Sequence, residues 1–298
     1  MSDKYAKSNL MFISSMLIFG TIGIFRRYIP LSSGMLAFAR GLLGALFIYG
    51  YIKLKGKRLR GKIGLNKLLL LALTGAVMGI NWILLFEAYN YTTVSVATLC
   101  YYMQPAIVIL LSPLLFKERL TLKKLVCAAL SISGMVLVSG VFEGVSLRTG
   151  DFRGIVYGLG AAAFYAFVII LNKKIQLEDA YYKTIIQLMS AAIILVPYLI
   201  VTESFNKISL KLPSFLMLLI VGIIHTGLAY VLYFGSIAVL KAQSVAILSY
   251  IDPVSALILS GIFLRESLTF FGIIGAVLII GSAMLSEINL KADVFVRN

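Results

Sequence analysis

Acidic side chains are scarce in this chain. Twelve Asp and Glu stand against 27 Lys and Arg in 298 residues, and charged residues of both signs make up only 13 %. A soluble domain carries about 25 %. Histidine occurs once, as His225, which excludes a two-histidine zinc motif. The two cysteines, Cys100 and Cys127, lie inside apolar runs, so neither a disulfide framework nor a CxxC metal site is available. No serine stands in a GxSxG elbow. These absences argue against an enzyme, and no cofactor or metal is expected. Long polar stretches are missing too. The longest connection expected, Lys53 to Asn66, is a basic loop with three glycines, so no extramembrane domain is predicted.

What remains is apolar sequence. Hydrophobic residues reach 60 %, where soluble domains hold about 45–50 %. A soluble fold of this length has nowhere to hide that surface. Runs of roughly 18 to 22 apolar residues recur, each long enough to cross a hydrocarbon core of about 30 Å. Closed α-helices are the natural solution, because lipid offers backbone groups no water. The pattern predicts ten helices, near 9–25, 32–52, 67–88, 93–116, 122–140, 152–171, 181–201, 213–236, 242–264 and 269–287. The first has no small-residue cleavage site after it and is expected to be retained.

The chain also contains one segment twice. Ser95-Val96-Ala97-Thr98-Leu99-Cys100-Tyr101-Tyr102-Met103-Gln104-Pro105 returns, one residue shorter, as Ser244-Val245-Ala246-Ile247-Leu248-Ser249-Tyr250-Ile251-Asp252-Pro253. Phe116-Lys117-Glu118-Arg119-Leu120-Thr121 returns as Leu264-Arg265-Glu266-Ser267-Leu268-Thr269. Pro105 recurs as Pro253 and Glu118 as Glu266, each 148 residues on. Residues 1–148 and 149–298 are therefore read as two copies of a five-helix unit. An odd number of helices makes the second copy enter the membrane from the opposite side. The fold class expected is an all-α membrane protein with ten transmembrane helices in two inverted five-helix repeats, the plan of many secondary transporters.

Positive charge sets the orientation. Nineteen Lys and Arg fall on the side that holds both termini, seven on the other, and Arg40 lies within a span. Both termini are expected in the cytoplasm, with the chain in the cell membrane. The net charge of +15 sits in short loops between spans, which argues against nucleic acid as a partner. Gly75-xxx-Gly79 and Gly154-xxx-Gly158 predict close helix contacts, read as packing within one chain and not a dimer seam. A monomer is expected.

Ionisable groups inside a span cost roughly 2.5 kcal/mol or more, so each invites a functional reading. Four stand out: Arg40, Glu87, His225 and Asp252. At about 1.5 Å of rise per residue, His225 lies about 18 Å from the outer face and Asp252 about 15 Å from the inner face, both near the midplane. Gln104 occupies in the first copy the place of Asp252 in the second. Asp252 is the leading candidate for binding a substrate ammonium or exchanging a proton; the plainer reading is a carboxylate satisfied by backbone groups freed near Pro253. His225 suits proton handling, or simple hydrogen-bonded packing. Arg40 is placed to snorkel to Glu87 as an ion pair or outer gate, or to bind a carboxylate. Tyr101, Tyr102, Tyr230 and Tyr250, with Trp82 and Asn81, offer π faces, hydroxyls and an amide to a substrate. Tyr233, near the inner face, is read as packing. Pro105 and Pro253 are expected mid-helix, kinking it as hinges.

The helix count, the inverted repeat and the paired "Pro … Lys/Arg-Glu-x-Leu-Thr" segments together resemble the EamA family of the drug/metabolite transporter superfamily, over residues 8 to 287. Arg40 matches a basic position common in that family. The resemblance implies a secondary transporter, more an exporter than an importer, for small polar metabolites such as amino acids, with a small-molecule substrate, protons and the lipid bilayer as partners. Efflux of multiple drugs or lipophilic cations is the alternative; a membrane-embedded enzyme or a channel is a weaker one. Small four-helix members of the superfamily couple protons through a glutamate in their first helix. Here the first and sixth predicted helices hold no acid within the span, and that mechanism does not carry over.

Overall fold

A computed structural model describes residues 2–56, 64–116, 121–138, 149–175, 179–203, 211–237, 239–240 and 248–287. Among these no strand occurs. The helices are α1 (Ser2–Gly20), α2 (Ile22–Arg27), α3 (Ser33–Leu54), α4 (Leu65–Tyr91), α5 (Val94–Tyr101), α6 (Gln104–Phe116), α7 (Leu122–Val138), α8 (Thr149–Lys174), α9 (Ala180–Thr202), α10 (Leu212–Leu219), a π-helix (Ile220–Leu228), α11 (Ala229–Ile237), α12 (Ile251–Leu264) and α13 (Phe270–Glu287). Among the described residues seven stretches are long and apolar enough to cross a membrane, and α12 and α13 are shorter apolar helices. The Lys117-Glu118-Arg119 turn, the run 241–247 and residues 57–63 of the Lys53–Asn66 loop lie outside the described residues.

Local chemistry sets the helix starts. Ser32 Oγ accepts from the Met35 amide at 3.1 Å, Thr93 Oγ1 from that of Val96 at 3.1 Å, and Asp179 from those of Tyr181 and Tyr182. Each satisfies an amide that has no partner within its own helix. Pro213 stands in the first turn of α10, where a missing N–H costs nothing.

Four of the predicted spans are interrupted, the span 242–264 at Tyr250, just before α12. The first breaks at Thr21, whose hydroxyl turns back to the Ile18 carbonyl at 2.8 Å. The predicted helix 93–116 breaks at Tyr102 and Met103, between α5 and α6. The predicted helix 213–236 contains nine residues of π-helix. The prolines also differ from expectation. Pro105 and Pro253 are the second and third residues of α6 and α12, so they start helices and do not kink them from within. The reason is the missing amide: proline cannot bond the carbonyl four residues back, so a new helix begins around it.

Small residues bring the helices together. α4 lies against both α8 and α9, α3 against α9 and the π-helix, and α7 against α13. At Gly75 an added methyl would lie 2.4 Å from the Gln187 carbonyl oxygen of α9, and at Gly158 2.7 Å from Cys100 Cβ. Both small-residue motifs pack inside the chain. The outward surface is apolar: Val201, Ile200, Ile262, Phe263 and Val277 are largely exposed, as lipid-facing residues are.

Candidate functional site

Arg40 and Asp252 share one cavity. It has a volume of about 140 Å³, and its walls include Phe19, Arg40, Trp82, Tyr89, Thr98, Tyr101, Tyr102, Tyr165, Tyr230 and Asp252. Residues from α1, α3, α4, α5, α8, α11 and α12 therefore converge on one space, drawn from both copies of the repeated sequence.

Asp252 stands in the first turn of α12. Tyr102, in the break after α5, donates its hydroxyl to Asp252 Oδ2 at 2.5 Å. That length is the short one of a hydroxyl bonded to a carboxylate. Tyr101 stacks on Tyr165 of α8, with ring centres 5.2 Å apart, and meets Tyr102 edge-on at 6.0 Å. Tyr230 packs edge-on against Phe19 at 5.5 Å. The walls are thus rings and hydroxyls, with the carboxylate set among them.

Arg40 is only 4 % exposed. Its guanidinium carbon sits 4.1 Å from the centre of the Trp82 ring and 5.6 Å from that of Phe86. Nε donates to Thr226 Oγ1 at 3.1 Å. Thr226 in turn donates to the Val221 carbonyl at 3.1 Å, five residues back, as the π-helix dictates. Stacking and one hydrogen bond fix the guanidinium plane, and its two Nη groups bond no described residue. No ion pair joins Arg40 to Asp252 among the described residues.

The expected Arg40–Glu87 pair is not formed. Glu87 lies one helical turn from Asn90, whose amide reaches it at 3.4 Å, while Arg40 turns inward to Trp82 and Thr226. Stacking inside the bundle satisfies the cation without snorkelling to the helix end. His225 also stays out of the cavity. It is 1 % exposed, its Nε2 lies 2.8 Å from Thr21 Oγ1, and its ring meets Phe25 edge-on at 4.7 Å. It ties the break in the first predicted helix to the π-helix. Asn81 is fully buried and donates to the Ala161 carbonyl at 2.6 Å, clamping α4 to α8; its Oδ1 has no partner among the described residues. Gln104 is half-buried at the start of α6 and Tyr250 is buried just before α12; neither lines the cavity. Asp252, Arg40, Trp82, Tyr101, Tyr102 and Tyr230 are brought together.

Sequence reasoning missed Tyr89, Thr98, Tyr165 and Thr226. Tyr89 and Thr98 join hydroxyls at 3.5 Å. Tyr165 was readable only as an aromatic in an alanine-rich run, and Thr226 only as the neighbour of His225.

An apolar helical bundle of several membrane-crossing lengths, with a small aromatic cavity that holds one acid and one base in its wall, is the architecture of a multi-pass membrane protein that handles a small solute. The sequence relationships narrow this to one family. The model of the EamA-like transporter family matches residues 6–140 and again 152–287, and the chain belongs to that family. Over 286 residues it is 30 % identical to the uncharacterized transporter YxxF of Bacillus subtilis, covering 96 % of this chain and 91 % of that one. It is 25 % identical to Protein RarD of Salmonella typhi over 204 residues, 67 % of this chain and 66 % of that one. A solved crystal structure shares the fold at TM-score 0.65 and 17 % identity, covering 94 % of this chain and 96 % of that one.

Proposed function

We propose that this chain is a secondary transporter that exports small polar metabolites, amino acids foremost, by alternating access between two inverted five-helix halves. Ten spans then cross the cell membrane, with both termini in the cytoplasm. One observation carries the substrate reading. Arg40 and Asp252, of opposite charge, line one cavity without pairing with each other. Trp82 and Thr226 hold the one and Tyr102 the other, but neither meets an opposite charge among the described residues, and burying charge without a counter-ion is costly. A zwitterion brings a counter-ion to both at once, carboxylate to the guanidinium fork and ammonium to Asp252 beside the tyrosine rings.

The two-half reading draws support from the contact between α7 and α13, the last helix of each half. Ser131 meets Ser282 at 2.7 Å, and a methyl added at Gly134 would press on both Gly275 and Ile279. Shifted by the 148-residue repeat, Ser282 corresponds to Gly134 and Ile279 to Ser131. Each half thus presents one surface to its own copy, as a two-fold relation requires.

The test uses purified full-length protein. Melting temperatures are measured against panels of neutral amino acids, amines, sugars and lipophilic cations, since a ligand of the folded form raises them. Uptake of the best binder into proteoliposomes follows. Stabilisation by zwitterions, with neither the amine nor the acid alone matching it, is the expected result. Stabilisation by lipophilic cations alone would replace it with the cation-efflux reading.

A further inference from the structure

At the end of the bundle that carries Arg27, Thr92 and Glu266, a carboxylate is set on backbone amides. Helix α12 ends at Leu264, and Arg265 adopts a left-handed conformation with φ of 56°. That turn is rare for a residue with a side chain. It points the next residue, Glu266, back at the N-terminus of α5. Glu266 Oε1 accepts from the Val94 amide at 2.9 Å, and Oε2 accepts from the Ser95 amide at 3.0 Å and the Ser95 hydroxyl at 3.2 Å. The Ser95 hydroxyl also lies 2.8 Å from that of Ser260 in α12. Arg27, at the end of α2, bonds the Thr92 carbonyl at 2.9 Å and stands 3.6 Å from Glu266 Oε1. One carboxylate thus holds α5 to α12, and one guanidinium holds α2 to both.

Helix capping normally uses a residue of the same chain segment; here the cap comes from 171 and 172 residues away. The amides of Val94 and Ser95 belong to the helix that ends at Tyr101 and Tyr102, and α12 begins at Asp252's turn. The two helices joined by Glu266 at one end therefore carry the Tyr102–Asp252 bond at the other.

We propose that Glu266 is the latch of the outer mouth: its carboxylate, seated on the Val94 and Ser95 amides and backed by Arg27, holds this end shut, and the mouth opens when that seat is vacated. This rests on the alternating-access reading and names the contact that gates it. Opening needs no charge buried afresh, because both the amides and the carboxylate become solvated as the ends part.

The experiment measures distance, so it needs no substrate. Spin labels replace the exposed Tyr28, next to Arg27, and the exposed Phe270, just beyond Glu266, in the full-length protein with Cys100 and Cys127 changed to alanine and held in lipid nanodiscs. Pulsed electron–electron spectroscopy reads the distance distribution. The unaltered latch should give one dominant short distance. Glu266→Gln keeps the side chain's size but loses its charge and one of its two acceptors, and should raise the ratio of long to short distances by about tenfold or more. Arg27→Gln should raise it less, and Ser95→Ala least. Circular dichroism and a single gel-filtration peak check folding; if Glu266→Gln does not fold, Glu266→Asp, whose shorter carboxylate reaches less far, serves in its place. Unchanged distances in folded Glu266→Gln and Glu266→Asp would overturn the latch, whatever transport is found. Long distances appearing in a protein that moves no probe would leave the latch standing and remove the transport reading instead.

Discussion

At the scale of single residues, the Tyr102–Asp252 bond separates charge from shape. Asp252→Asn keeps the volume and removes the charge, while Tyr102→Phe keeps the charge and removes one short hydrogen bond. Hydrogen bonds to a charged group contribute about 1.5–3 kcal/mol, so Tyr102→Phe should weaken substrate binding by about tenfold or more if the tyrosine orients the carboxylate. Asp252→Asn should lose transport and flatten its dependence on pH while the protein still folds. Proteoliposome uptake between pH 5 and pH 8 checks both; full activity with an unchanged pH profile in Asp252→Asn would remove the carboxylate from the mechanism. The acid, the arginine and the tryptophan were legible because a charge or a large ring inside an apolar run needs a reason. Tyr165 and Thr226 were not. A helix that is apolar all round has no polar face to betray which side looks into a cavity, and only the packing of α8 and the π-helix turns those two inward.

Elements tell a similar story. Where α4 crosses α9, Gly75 presents bare backbone to the Gln187 carbonyl, with Ser190 Cβ 2.8 Å from where a methyl would stand. A backbone carbonyl within a helix cannot step aside. Gly75→Val should therefore force the two helices apart and lower stability by about 1–3 kcal/mol, seen as a fall in melting temperature of the purified protein. The same change at Gly50, where nothing lies within 4 Å, should leave the melting temperature nearly unchanged. Equal effects at both positions would mean that the small-residue motif is not a packing seam. The motif spacing was readable because small residues recur on one helix face; the partner was not, since any helix accepts such a groove. The π-helix had no readable signature at all, for its wider turn is settled by what Arg40 and Thr21 ask of Thr226 and His225.

For the whole molecule, the orientation is the property most open to a simple check. The positive-charge count places Lys55 in the cytoplasm and Tyr28 outside, and both are exposed. A membrane-impermeant thiol reagent applied to intact cells should label a cysteine at Tyr28 and miss one at Lys55, and lysis should expose the second. The reverse pattern would invert the molecule. It would also exchange the outer and inner mouths, placing the Glu266 latch on the cytoplasmic side without altering its geometry.

The sequence by itself determined the solvent, the repeat and the family. Hydrophobic runs longer than a bilayer core admit few solutions, and a 148-residue echo of proline and glutamate admits fewer. It also marked Arg40 and Asp252 as residues that a membrane does not tolerate idly. Only the tertiary structure decided their partners. Arg40 is drawn to Trp82 and Thr226 in preference to Glu87, because stacking within the bundle satisfies a guanidinium that the helix end would leave to water. Glu266, read in the sequence as one letter of a repeat, becomes a cap on another helix because Arg265 turns left-handed and the amides of Val94 and Ser95 wait within reach. Spacing along the chain states what a residue is; which side chain or amide it meets depends on the rotation and crossing of helices, and those are fixed by contacts far apart in sequence, 186 residues for Arg40 and Thr226, and a few ångströms apart in space.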